Sequence, residues 1–187
     1  MAHAAKAPAA ADADLKALWR ELGIDPALIR QRRLPRHAEA RELVVAEVHR
    51  SGRPIFLQPE AAAAWRALKA AAQADGVALY LISGFRSVAR QAELLRAKRA
   101  QGQALGQILR LLAPPGCSEH HSGRAVDIGA PGYAGLDTAF EHSAAFGWLW
   151  RRGGRFGFAL SYPRDNAWGY SYEPWHWCHT PAGGRPA

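Results

Sequence analysis

The chain has little with which to cross-link itself: two cysteines, Cys117 and Cys178, in 187 residues. That excludes a small fold stapled by disulfides. No apolar run approaches the roughly 18 residues that a membrane span requires; the best is Val77 to Ile82. No membrane-spanning helix is therefore expected. Glycine (18) and proline (12) are too few for a collagen-like or low-complexity chain. The first 14 residues, rich in alanine, lack the leucine-rich centre of a secretory signal. They read as a flexible lead-in, and the expectation is a cytoplasmic protein, with a periplasmic one left open should the chain be trimmed. What the sequence does contain is apolar material, 49% of residues against 21% charged. That excludes wholesale disorder and suits one domain, or one domain with a small helical appendage.

The net charge of +8 is unevenly spread. Residues 1–113 carry 18 basic and 10 acidic side chains, whereas residues 114–187 carry 6 of each. A basic face can attract nucleic acid or an acidic polymer. Here the basic segment lacks interleaved aromatics and any nucleic-acid-binding motif. It reads as an arginine-rich solvated helical surface, and no nucleic-acid partner is expected. The neutral part holds five of the eight histidines and five of the seven tryptophans, which points to where the chemistry lies.

Along the chain, Leu15, Leu18, Trp19 and Leu22 are spaced for a helix that Gly23 ends. Asp25-Pro26 opens a second short helix, with the aspartate as cap and proline in the first turn. A third helix is predicted over roughly 36–50, burying Leu43, Val44 and Val48. An extended piece over Arg53–Leu57 leads into a strong helix from Pro59 to Ala74, with Trp65, Leu68 and Ala72 on one face and Gly76 as its stop. Val77–Ile82 reads as a buried strand. Helices follow over about 88–100 and 103–112, then a strand over Arg124–Ile128. A helix capped by Asp137 is predicted to run to about 151, followed by strands at Phe156–Leu160 and Tyr170–His179. Helices first and strands late, with helices between them, predict an α+β fold. The expected organisation is an N-terminal helical segment (1–52), a catalytic domain (53–180) and a short tail (181–187).

Three separated segments carry polar groups that a plain core does not need: Ser83–Ser87, Ser118–Asp127 and Glu173–Trp177. Taken singly, His120 or His176 would be read as a hydrogen-bonded histidine, and Asp127 as a cap or salt-bridge partner. Together they form a set with a different meaning. His120, Asp127 and His176 supply the two-histidine, one-carboxylate donors that commonly hold zinc while leaving a fourth position for water. Glu173, three residues before His176, supplies a carboxylate base. Arg86 offers a bidentate cation for an oxyanion or a substrate carboxylate.

Ser118-Glu-His-His-Ser-Gly-Arg-Ala-Val-Asp127 fits the pattern S-x-H-x-x-G-x-A-x-D, and Glu173-Pro-Trp-His-Trp177 fits E-P-W-H-W. In both, and in Ser83-Gly-Phe-Arg-Ser87 with Gln91, the chain resembles the zinc D-alanyl-D-alanine carboxypeptidases of the VanY type. Phe156–Pro163 resembles the strand that precedes the second signature, and the likeness spans roughly residues 55–179. It implies the compact fold shared with the Hedgehog signalling domain, in which zinc sits at the edge of a small antiparallel sheet flanked by helices. It implies Zn2+ as cofactor, held by His120, Asp127 and His176, with Glu173 as base and Arg86 stabilising the reacting carbonyl. Ser118 and Gln91 fall on substrate-contacting positions. The implied substrate is a peptidoglycan peptide or precursor that loses its terminal D-alanine. After the second signature the sequence departs from the pattern, with Cys178-His179 in place of the usual Arg-Tyr.

The neighbours of these residues take plainer readings. His121 is expected at the rim, Glu119 as a hydrogen-bonding loop residue and His142 at the surface. Trp175 and Trp177 are expected to pack, one of them lining the cleft. Cys117 and Cys178 are expected as free thiols, although they could lie close enough to pair. Two rival functions use the same residues: an LD-carboxypeptidase or peptidoglycan endopeptidase, and a binding module that keeps zinc for structure alone. Glu173 and Arg86 argue against the latter, because a structural site needs neither.

Overall fold

The computed structural model describes residues 9–180; most of the expected lead-in and the whole tail lie outside them. Helix α1 (Ala9–Glu21) and helix α2 (Pro26–Gln31) come first. The Asp25 side chain accepts from the Ala27 amide and starts α2 as the sequence predicts. Strand β1 (Val44–Val48) pairs antiparallel with β2 (Pro54–Leu57), and helix α3 (Pro59–Ala74) follows. Strand β3 (Tyr80–Ser83), helix α4 (Val88–Ala100), helix α5 (Leu105–Leu111) and strand β4 (Ala125–Gly129) complete the middle of the chain. Helix α6 (Ala144–Arg152), strand β5 (Phe158–Leu160) and strand β6 (His176–His179) end it. The main sheet is fully antiparallel in the order β3-β4-β6-β5.

Three sequence expectations are corrected. The helix predicted over 36–50 is an irregular stretch followed by β1. Its β-branched Val44, Val45 and Val48 lose rotamer freedom in a helix and suit a pleated edge, where they are 37%, 48% and 59% exposed rather than buried. Glu47 fixes this edge, accepting from Trp65 Nε1 at 2.9 Å and from the Leu81 amide at 3.3 Å. The single helix predicted over 137–151 is two pieces. Asp137 caps only a 3-10 turn, Thr138–His142, and Ser143 then starts α6 by accepting from the Phe146 amide at 3.0 Å. The long last strand shrinks to β6. Pro174 cannot donate to a ladder, and the preceding amides are used elsewhere, Ser171 on the Arg110 carbonyl and Glu173 on the Tyr162 carbonyl.

Two apolar clusters result. One lies between α3, α6 and the main sheet, around Trp65, Leu68, Leu81, Ile128 and Trp177. The other joins α1 and α2 to α4 and α5 through Trp19, Ile24, Ile29, Leu95 and Ile108. The first helices therefore share a core with the middle of the chain. Among the described residues no helix is long and apolar enough to cross a membrane.

Candidate active site

Between the two clusters lies a cleft of about 220 Å³ that Arg86, Ser118, His120, Asp127, Glu173 and His176 help to line. Strand register explains half of it. Asp127 stands opposite His176 across the β4–β6 pair and opposite Ser83 across the β3–β4 pair. A third side chain of the group, His120, comes from a 3-10 turn, Glu119–Ser122, that Gly123 ends in the left-handed region at φ 66°.

His120 Nε2 lies 3.3 Å from one Asp127 oxygen, and His176 Nδ1 lies 3.1 Å from the other. The two rings meet edge to face with centroids 4.9 Å apart. One donor atom from each of the three residues lies within 4.8 Å of the other two, and all three side chains are buried. The remaining nitrogens have partners of their own. His120 Nδ1 lies 2.7 Å from the Gly84 carbonyl, which can only accept, so this nitrogen carries the proton. His176 Nε2 lies 3.0 Å from Glu119 Oε2, an acceptor when ionised. His120 thus spends its N–H outward, whereas His176 lies on a carboxylate at each nitrogen and carries a proton on both, so that a cation at the site would take the place of its Nδ1 proton. Two imidazoles and a carboxylate whose donor atoms converge on one point suit a cation, and the donor types suit zinc.

Charge in the site follows from burial and these bonds. Burial opposes ionisation of Asp127, but His120 and His176 overcome it and hold the carboxyl well below its usual range. Burial likewise opposes a charged His176, yet its bonds to Asp127 and Glu119 raise it to about 10. Glu173, 4.0 Å from His176 Nδ1, is pushed up to about 7, chiefly by burial, which the nearby His176 and Arg86 only partly offset. A carboxyl poised near neutrality in a cleft is a candidate proton carrier.

Arg86 enters from the loop after β3. Its Nη1 donates to Gln91 Oε1 at 2.9 Å, and its Nη2 lies 3.9 Å from Asp127 Oδ2. Gln91 is fully buried, and its Nε2 donates to the Ala113 carbonyl at 2.7 Å, so the amide is engaged at both ends. Ser118 is buried in the cleft wall. Trp175 lines the cleft and Trp177 belongs to the sheet core. His142 is exposed, and both cysteines are free.

Two residues have more to do than the sequence suggested. His121 is fully buried and not a rim residue. Its Nδ1 lies 2.6 Å from the Arg86 carbonyl, and its Nε2 accepts from the Gly116 amide at 3.1 Å. Burial lowers its pKa to about 4, keeping it neutral as those two bonds require. The Arg86 amide donates back to the His120 carbonyl at 3.1 Å. His120 and His121 thus clamp Gly84 and Arg86 from successive positions. The loop can run this close only because residue 84 has no side chain; a Cβ there would lie 2.7 Å from Ile55 and from the Phe56 carbonyl. Glu119 holds the far nitrogen of His176, and Tyr162 stacks on that ring with centroids 4.6 Å apart.

Residues 54–182 match the VanY family, described as D-alanyl-D-alanine carboxypeptidase. The chain is 33% identical over 150 residues to the bifunctional D-Ala-D-Ala dipeptidase and D-Ala-D-Ala carboxypeptidase VanXYC of Enterococcus gallinarum, covering 76% of each. It is 38% identical over 117 residues to a D-alanyl-D-alanine carboxypeptidase of Enterococcus faecalis, covering 57% of this chain but 42% of that one. Among solved structures it resembles the LdcB LD-carboxypeptidase, with TM-score 0.66 and 30% identity over 78% of this chain and 71% of that one. It also resembles VanYB in complex with D-alanine-D-alanine, with TM-score 0.57 and 33% identity over 74% of this chain and 76% of that one. A VanY variant in complex with Zn(II) aligns with TM-score 0.55 and 28% identity over 76% and 85%. With the match extending over most of the sequence and the shared fold carrying the cleft, this chain is a peptidase and belongs to the VanY family of D-alanyl-D-alanine carboxypeptidases.

Proposed function

We propose that the chain removes the terminal D-alanine from peptidoglycan peptides ending in D-Ala-D-Ala, with zinc held by His120 Nε2, Asp127 and His176 Nδ1. The observation that carries this reading is the convergence of three buried donors, two imidazoles and a carboxylate, whose histidines have outer partners in the Gly84 carbonyl and Glu119. Bound there, zinc would act as a Lewis acid, polarising a carbonyl and making a water nucleophilic near neutral pH. Glu173 Oε2 takes the proton of the attacking water and returns it to the leaving amine. Burial, which opposes its ionisation, suits it to take up and release a proton. Arg86 is held by Gln91 beside Asp127, so its free N–H groups face the cleft, where negative charge builds on the attacked oxygen. Tyr162, Trp175 and Tyr170 wall the cleft against bulk water.

A second reading, cleavage of an L,D bond by the same groups, is favoured by the likeness to LdcB. Mass spectrometry of products from D-Ala-D-Ala dipeptide, a muramyl pentapeptide and a muramyl tetrapeptide, after zinc reconstitution, separates the two. Loss of one D-alanine from the pentapeptide alone is the expected result. Loss from the tetrapeptide alone makes the enzyme an LD-carboxypeptidase.

A further inference from the structure

The cleft does not end at the groups that the proposed reaction uses. Besides Arg86 and Gln91 it is lined by Lys98, further along α4, and by Leu111 and Leu136. Gln91 and Lys98 are seven residues apart in one helix, hence on one face and about 10 Å apart along its axis. Leu95 lies between them on that face and is fully buried, which fixes how the helix is turned. Lys98 is half-buried at the far end of the cleft. Of the exposed cations of α4, Arg90 pairs with Glu93 and Arg96 with Glu21, while Arg99 turns away to the Leu22 carbonyl. Lys98 pairs with no carboxylate among the described residues. Leu111 and Leu136 beside it are 47% and 50% exposed, an apolar rim at the cleft mouth.

We propose that Lys98 reads a carboxylate on the retained part of the substrate, two to four residues before the bond that is cut. The inference rests on the carboxypeptidase reading above and adds to it a charge requirement. A carboxypeptidase's leaving group is one residue long, about 3.5 Å of extended chain. A cation rooted about 10 Å from Gln91 lies beyond that reach. It therefore faces the acyl side, where an extended peptide covers the same distance in about three residues. The flexible four-carbon stem of lysine accounts for the range on either side of three. Leu111 and Leu136 would cover aliphatic side chains of the same stretch. The class of ligand is thus a peptide ending in D-Ala-D-Ala, carrying a free side-chain or α-carboxylate upstream, where a carboxamide would bind less well.

The test uses the full zinc-loaded chain and two synthetic peptides of equal length ending in D-Ala-D-Ala. They differ only at the third residue before the scissile bond, which carries a free carboxylate in one and a carboxamide in the other. D-alanine release gives kcat and KM, and calorimetry on Glu173→Ala gives Kd without turnover. The expected result is a preference of about tenfold for the acid peptide, carried by KM and weakened at about 1 M salt. Lys98→Gln should bring the ratio close to one, and Lys98→Glu should invert it, with zinc content and melting temperature as in the unaltered chain. An equal ratio in the unaltered chain and in Lys98→Gln overturns the proposal while leaving the carboxypeptidase reading intact. Tighter binding of the acid peptide through Lys98, with D-alanine released from neither, would instead overturn the carboxypeptidase reading.

Discussion

Asp127 is held by backbone ladders on both sides of β4, whereas Arg86, across the cleft, is held by side chains. On the sheet wall, pairing with β3 and β6 sets where Asp127 and His176 stand, and a slip of one residue would turn both to the other face. On the opposite wall, Arg86 depends on Gln91, Gln91 on the Ala113 carbonyl, and the Arg86 backbone on His120 and His121. The sheet wall is fixed by the fold itself. The other wall can be retuned by single substitutions without unmaking the strands. Proteins similar to this chain carry dipeptidase, D-Ala-D-Ala carboxypeptidase and LD-carboxypeptidase names, a spread of selectivities that a retunable wall can accommodate.

The comparison breaks most sharply at Glu173, which belongs to neither wall's scaffold. Replacing it with alanine should leave zinc content unchanged and lower kcat by about 10³-fold, because a proton carrier is lost while the donors stay. Elemental analysis beside turnover checks this; loss of metal together with activity would make Glu173 a ligand. On the wall opposite the sheet, Arg86→Ala and Arg86→Lys should both bind zinc and melt normally yet lose about 2.7–4 kcal/mol of transition-state stabilisation. Lysine has no planar fork to hold Gln91 and the substrate at once. Near-normal turnover by the lysine variant would remove the fork argument.

His121 tests whether that wall is set by its backbone clamp. In the fold its pKa is about 4, against an ordinary 6.5. The unfolded chain therefore takes up the proton first as pH falls. The clamp's contribution is complete above about 6.5 and is lost between there and about 4, by up to about 3 kcal/mol. Urea midpoints at pH 7 and pH 4.5 should fall further for the unaltered chain than for His121→Gln, and the His121 ring should stay neutral by NMR down to about pH 4. An ordinary titration near 6.5 would mean that the ring is not clamped.

Much of this was legible in the sequence where the signal is local. The helix expected over about 88–100 is α4, which the Ser87 side chain starts by accepting from the Arg90 amide, and Pro59 and Gly76 bracket α3. His120, Asp127 and His176, taken as a set, singled out the three side chains that the sheet and the turn before β4 bring together. Where the deciding partner is distant in sequence, local pattern was not enough. Val44 and Val48 satisfy a helical stripe as well as a strand, and the choice is made by pairing with β2 and by Glu47 reaching Trp65. His121 is buried by the Arg86 carbonyl, 35 residues away. The stripes of α1 and α2 announce burial but not that α4 and α5 receive them.

The smallest effect is expected at Glu119, and it bears on the sheet wall's one dependence on a side chain. The ladders fix the His176 backbone but leave the ring free to turn about χ2, and either nitrogen could then face Asp127. Glu119 removes that freedom by accepting from Nε2, and Tyr162 limits the ring's tilt by stacking on it. An ionised Glu119 also makes the imidazole a stronger donor, and its bond to His176 keeps the carboxyl ionised against the cost of burial. Glu119→Gln keeps the shape and loses the charge; its amide can still accept through oxygen. Zinc affinity should therefore fall by about 10- to 100-fold, as for other outer partners of metal-bound histidines. Turnover should recover when zinc is raised to saturation, because Glu119 touches neither substrate nor the transferred proton. Competition with a chromophoric chelator measures the affinity, and zinc titration of D-alanine release measures the recovery. Unchanged affinity would show that β6 and Tyr162 alone hold the ring, whereas lost turnover at saturating zinc would place Glu119 in the chemistry itself.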